Sequence, residues 1–105
     1  MRIRKDVFTD DEKDIIEIAN ISDALAHPVR IKILKYVLLN NSQRNVVHNK
    51  ALVEFFDYSQ STISQHVKKL VQANIITVRK KDKFSEYYAN IGVIGKFVKM
   101  LSIIE

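Results

Sequence analysis

Residues 59–70, SQSTISQHVKKL, carry short hydroxyls and amides followed by two lysines, a set suited to directed hydrogen bonds with a polar partner. On a helix turning about 100° per residue, Ile63, Val67, Leu70 and Val71 fall on one narrow apolar stripe. Ser61, Gln65, Gln72, Lys68 and Lys69 then face away from it, with Thr62 and Ser64 on its flanks. Short donors and acceptors near the start of such a helix can approach base edges in a major groove, and lysines further on can reach phosphates. The ordinary alternative is a solvated helix, but solvated helices usually mix glutamate with lysine. No carboxylate lies between Ser59 and Ala73, and this is the sharper signal.

Other chemistries find little material. There is no cysteine, so neither a disulfide framework nor a thiolate metal or redox centre is available. His27, His48 and His66 are the remaining soft ligands, and no pair has the close spacing of a metal motif. His27 is expected to cap or flank a helix, His48 to be solvated on a loop, and His66 to edge a core stripe, bracing its helix or grazing phosphate. A glycine-rich phosphate loop is absent, and the serines do not stand with a histidine and an acid at a nucleophile-motif spacing. An enzyme is therefore not expected, and no cofactor or metal is implied. No apolar run approaches the roughly 20 residues of a membrane span, and MRIRKDVFTDDEK lacks a signal peptide's apolar core. The expectation is a cytoplasmic protein without a membrane partner.

Charge is unevenly placed. Residues 1–25 hold Arg2, Arg4, Lys5 and Lys13 against Asp6, Asp10, Asp11, Glu12, Asp14, Glu17 and Asp23, a net −3 within a chain of net +5, which leaves +8 on the remainder. An acidic element held away from a basic surface fits a polyanionic partner, although any one cluster also reads as a solvated face.

The elements that position these residues follow from periodicity and end signals. Thr9 and Glu12 fit a capping box, predicting a first helix over about 10–25. Pro28 suits the first turn of a second, centrally buried helix in HPVRIKILKYVLLNN, with His27 at its cap position and Asn40-Asn41 to end it. SQRNVVHN reads as a loop with at most a short strand at Val46-Val47, and KALVEFFDY as a short third helix with Leu52, Phe55 and Phe56 at packing spacing. After the helix over 60–73, Asn74 can take the left-handed geometry of a helix end. IITVRKKDKFSEYYAN then reads as a hairpin turning at Lys81, Asp82 and Lys83, with Tyr87 and Tyr88 on opposite faces. Its tip carries Arg79, Lys80, Lys81 and Lys83, which suit phosphates or a minor groove. The whole chain, 1–105, reads as one mainly α domain with a small β-hairpin, a winged helix-turn-helix in the order α1-α2-(β1)-α3-α4-β2-β3-α5.

ALAHPVRIKILKYVL, YSQSTISQHVKKLVQANII and VRKKDKFSEYY together resemble the arsenic-repressor (ArsR) family of small winged-helix transcription regulators, over roughly residues 23–90. The resemblance implies a homodimer built from the first and last helices, a recognition helix at 60–73, a wing at 76–90, and repression of a promoter released by an effector. By position, the family's DNA contacts fall on Gln60, Ser61, Thr62, Ser64, Gln65 and Lys68. The chain departs from the family's metal sensors: counted back without gaps, the cysteine-pair positions fall on His48 and Lys50, and the last helix offers only Glu105 among that site's ligand types. No residue pattern names an effector.

The last helix carries Ile94, Phe97, Val98, Leu101 and Ile104 on an apolar stripe that Val93 and Met100 widen to about 160°, broader than one-sided packing requires. A symmetry mate would cover it, and Ile15, Ile16, Ile18 and Ile21 of the first helix could join the same interface. Lys96 and Lys99 are too few for strong attraction to a lipid surface. The dimerisation elements are thus expected at 10–25 and 92–104, with Ile15, Ile18, Ile94, Phe97, Val98 and Leu101 at the interface. Residues 60–73 with Lys68, Lys69, Arg79, Lys81 and Lys83 are expected to hold double-stranded DNA, as inverted-repeat half-sites. The competing readings are a metal-responsive regulator of the same fold, marked by a zinc or chelator effect on DNA affinity, and a winged helix used as a protein-interaction module, marked by poor DNA binding at physiological salt.

Overall fold

The computed structural model describes residues 12–102, so Thr9, Asp10, Ile104 and Glu105 lie outside the described residues. Among these the order is α1 (Glu12–Ala24), α2 (Pro28–Ser42), β1 (Val47–His48), α3 (Asn49–Phe56), α4 (Gln60–Gln72), β2 (Ile76–Lys81), β3 (Phe84–Ala89) and α5 (Ile91–Ser102). The strands form one antiparallel sheet in the order β1-β3-β2, with Val47 opposite Tyr87 and Val78 opposite Tyr87 on its other side. This is the winged helix-turn-helix expected from the sequence.

Helices α2 and α4 each end at a residue with positive φ. Asn74, at φ 63°, follows α4; its N–H donates to the Val71 carbonyl and that of Ile75 to the Leu70 carbonyl at 3.1 Å. The paired bonds satisfy carbonyls that the helix leaves open, and they turn buried Ile75 onto the core. The same pair of bonds closes α2, where Arg44 takes φ 64° while Arg44 and Asn45 donate to Asn41 and Asn40. The expected stop at Asn40-Asn41 therefore moves on to Ser42, and Asn41 is freed for another task. His27 occupies the cap position of α2 but makes no side-chain capping bond. The hairpin turn narrows to Asp82 and Lys83 between paired Lys81 and Phe84, with Asp82 at φ 57° replacing the missing glycine.

The core is built from Ile33, Leu34 and Val37 of α2, Leu52 of α3, Ile63, Val67 and Leu70 of α4, and Val47, Ile76 and Tyr87 of the sheet, with Ile21 and Ala24 of α1 closing one side. Phe55 departs from expectation: it is 65% exposed, lying against Tyr36 with ring centroids 4.6 Å apart. Leu52, Val53 and Phe56 already fill the inward side of this two-turn helix, and Phe55 projects about 100° around from Phe56. His48 also differs, being half-buried in β1 with Nδ1 3.3 Å from the Ser85 carbonyl and its ring against Phe84.

Helix α5 contributes no buried residue. Val93, Ile94 and Phe97 are partly covered by the core, while Ile91, Val98 and Leu101 are exposed. Lys96 joins α5 to α1 through Asp14 at 2.5 Å and Glu17 at 3.1 Å. The two terminal helices thus meet, leaving Ile15, Ile16, Val98 and Leu101 open to solvent.

Candidate nucleic-acid interface

Helix α4 begins at a capped end. Ser59 Oγ accepts from the Thr62 N–H at 3.2 Å and donates to Thr62 Oγ1 at 2.9 Å, offsetting one of the unpaired amides of the first turn. Ile63, Val67 and Leu70 anchor the helix in the core, so its outward face cannot rotate away. Gln60, Ser61, Ser64, Gln65, Lys68 and Lys69 are all exposed, as expected, whereas Thr62 is half-buried and its hydroxyl is engaged by the cap. The result is a fixed, carboxylate-free surface of amides, hydroxyls and ammonium groups.

The hairpin supplies the second part. Arg79, Lys80, Lys81 and Lys83 are exposed at and near its tip, with Glu86 in register opposite Arg79. Tyr87 and Tyr88 take opposite faces. Tyr87 is buried and its hydroxyl donates to Asn49 Oδ1 at 3.2 Å, while burial raises its phenol above the ordinary value. Tyr88 donates to Glu86 Oε1 at 3.0 Å, and that hydrogen bond holds its phenol above the ordinary value, so both remain protonated near neutrality.

Clefts lie on both sides of α4. One, bordered by α3 and the hairpin, has Gln60 and Ser64 on its α4 side and His48, Lys50 and Lys83 across from them. The other, bordered by α2, is lined by Arg30, Gln65, His66, Lys68, Lys69 and Gln72. There Arg30 Nε donates to His66 Nδ1 at 3.1 Å. Partial burial, then the nearby Arg30 and His27, hold His66 below the ordinary imidazole value, so it is the neutral acceptor that this bond requires.

Arg30 is the residue that the sequence reading missed. A signal for it exists: a cation in the first turn of a helix opposes the helix dipole, and α2 carries no acid there to offset it. Among the described residues no group of three or more His, Cys, Asp or Glu side chains is placed to hold a metal ion. No helix among them is long and apolar enough to cross a membrane.

Residues 25–79 match the family model of a helix-turn-helix domain. The arsenical resistance operon repressor of Staphylococcus aureus is 36% identical over 53 residues, which are 50% of this chain and 51% of that protein. The chain therefore spans about half the length of this curated relative. Among solved structures, an ArsR-like transcriptional regulator from Rhodococcus sp. RHA1 superposes with a TM-score of 0.72 at 21% identity, covering 86% of this chain and 80% of the other. HlyU from Vibrio cholerae N16961 does so with a TM-score of 0.68 at 22% identity, covering 89% and 97%. A homodimeric winged helix-turn-helix DNA-binding domain from Mycobacterium bovis gives 0.67 at 16% identity, covering 99% and 87%. These likenesses are of fold.

Proposed function

The chain belongs to the helix-turn-helix domain family, and we propose that it is a dimeric, sequence-specific DNA-binding transcriptional regulator of the arsenic-repressor type, acting as a cytoplasmic repressor. The observation that carries this reading is the exposed, carboxylate-free face of α4, held in place by Ile63, Val67 and Leu70. Gln60, Ser61, Ser64 and Gln65 read base edges in the major groove, Thr62 fixes the start of the helix, and Lys68 and Lys69 meet phosphate. The hairpin lies along the adjoining backbone or minor groove and holds it through Arg79, Lys81 and Lys83.

The homodimer is formed by α1 and α5, whose uncovered apolar side chains include Ile15, Val98 and Leu101. Ile18, Ile94 and Phe97, partly covered within the protomer, complete the interface. A two-fold axis there places the recognition helices on successive major grooves, so the operator is an inverted repeat with half-site centres about 34 Å apart.

The test is fluorescence anisotropy on a duplex from the protein's own upstream region and on a scrambled duplex of equal length, across a salt series. Preference for the first by at least ~10³ near physiological salt is the expected result. Equal, salt-labile binding to both would overturn sequence-specific recognition by this domain. Tight binding that appears only when zinc is added, or vanishes with a chelator, would favour the metal-responsive reading.

A further inference from the structure

The cleft between α2 and the outer side of α4, about 320 Å³, gathers Arg30, Lys68 and Lys69 around the neutral His66, and among the described residues no carboxylate lines it. Asp23 of α1 lines an adjoining cleft with Lys69 and Gln72. Among the described residues the Arg30 guanidinium has no carboxylate within ion-pair distance, and its hydrogen bond is the one from Nε to His66. That bond fixes the plane of the guanidinium while its terminal N–H groups remain to bind an anion, which lowers the ordering cost of doing so. The placement of Arg30 in the first turn of α2 costs stability against the helix dipole, and bound negative charge offsets that cost.

The two clefts touch different sides of α4. Gln60 and Ser64 turn toward the cleft with Lys83, whereas His66 and Lys69 turn toward the cleft with Arg30. A major groove is bordered by two phosphate backbones about 12 Å apart. We propose that the Arg30 cleft seats a backbone phosphate of the DNA on the side of the groove away from the wing, with Arg30 as the oriented donor and Lys68 and Lys69 beside it. This rests on the reading of the chain as a DNA-binding regulator and extends its contact surface onto α2, beyond the helix-turn-helix and the wing.

The test is the salt dependence of binding by the full chain, wild type against Arg30→Gln and Lys69→Gln, on the upstream duplex and the scrambled one. Each substitution is expected to flatten the slope of log K against log salt by about one unit, equally on both duplexes. Lys69 is exposed and outside the core, so its variant remains informative even where Arg30→Gln is poorly folded. Wild-type slopes in both variants overturn the phosphate seat, and so does an effect confined to the upstream duplex, which is the behaviour of base-reading residues. Failure of the wild type to bind either duplex overturns the DNA-binding reading itself. A cleft that holds free phosphate away from the duplex would leave the salt slopes of both variants at the wild-type value, so the same series separates the two sources of phosphate.

Discussion

Asn41, near the end of α2, accepts a hydrogen bond at Oδ1 from the backbone N–H of Ala89 in β3 at 2.9 Å. Its amide nitrogen lies 3.4 Å from the Tyr87 carbonyl on the same strand. One side chain thus takes the place of a missing sheet neighbour and fastens the wing's inner strand to the central helix. Asn41→Ala leaves a partly buried strand amide without its acceptor and should destabilise the protein by about 1–3 kcal/mol. Among the described residues the Asn40 side chain bonds the Tyr36 carbonyl of its own helix and none on the sheet, so Asn40→Ala should cost less. Urea unfolding of the two variants checks this, and equal losses would remove the latch from the account.

What the sequence reveals and what it conceals divide along the range of the interaction involved. Helix α4 is legible because its apolar stripe and its Asn74 stop are both set by residues close to one another in the chain. Tyr87 and Tyr88 are separable because a strand alternates faces at every residue. Asn41 reads locally as a helix terminator, and its amide does reach the Asn45 carbonyl at 3.3 Å, but its bonds to β3 join it to residues 46 and 48 positions away, beyond any local pattern. Arg30 is hidden for the same reason, since periodicity weighs apolar positions while its bond to His66 spans 36 residues. Phe55 misleads in the opposite direction: its spacing from Leu52 matches a packed face, but so short a helix needs only one side covered.

The open apolar side of α5 makes a prediction about assembly. Val98 is 59% exposed and does not pack on the core, so Val98→Asp places a charge on the proposed interface without disturbing the protomer's interior. Sedimentation equilibrium should show a shift from dimer toward monomer, with the far-ultraviolet circular dichroism retained. Binding to a duplex carrying both half-sites should weaken in parallel. An intact dimer in this variant would exclude the α5 surface as the subunit contact.

Base reading and backbone holding should separate on mutation. Gln65 lies mid-helix on the exposed face of α4, so Gln65→Ala should lower discrimination at one base step by about 1–3 kcal/mol. Lys83 sits in the hairpin turn, so Lys83→Ala should weaken all duplexes alike and reduce the salt slope by about one unit. Competition binding against single-base-pair variants of the operator distinguishes the two patterns. If both substitutions act alike on operator and random DNA, Gln65 does not read bases.

The Arg30–His66 bond makes stability depend on pH with a definite sign. His66 faces Arg30 of α2 and His27 at that helix's cap position, shares its cleft with Lys68 and Lys69, and is held below its ordinary value of 6.5, chiefly by burial and then by Arg30 and His27. The unfolded chain therefore binds more protons than the native state at mildly acid pH. The stabilising contribution is fully present above 6.5 and is lost as pH falls through the lowered native value, because a proton on Nδ1 displaces the Arg30 N–H and sets two cations side by side. His66→Gln retains an oxygen that can accept from Arg30 but does not titrate. Between about pH 7.5 and 5.5 the wild type should therefore lose more stability than this variant, read as the difference in unfolding free energy at each pH. Partial exposure keeps the difference small, since solvent screens the pair. Parallel pH profiles of stability for the two proteins would show that His66 is not the titrating group.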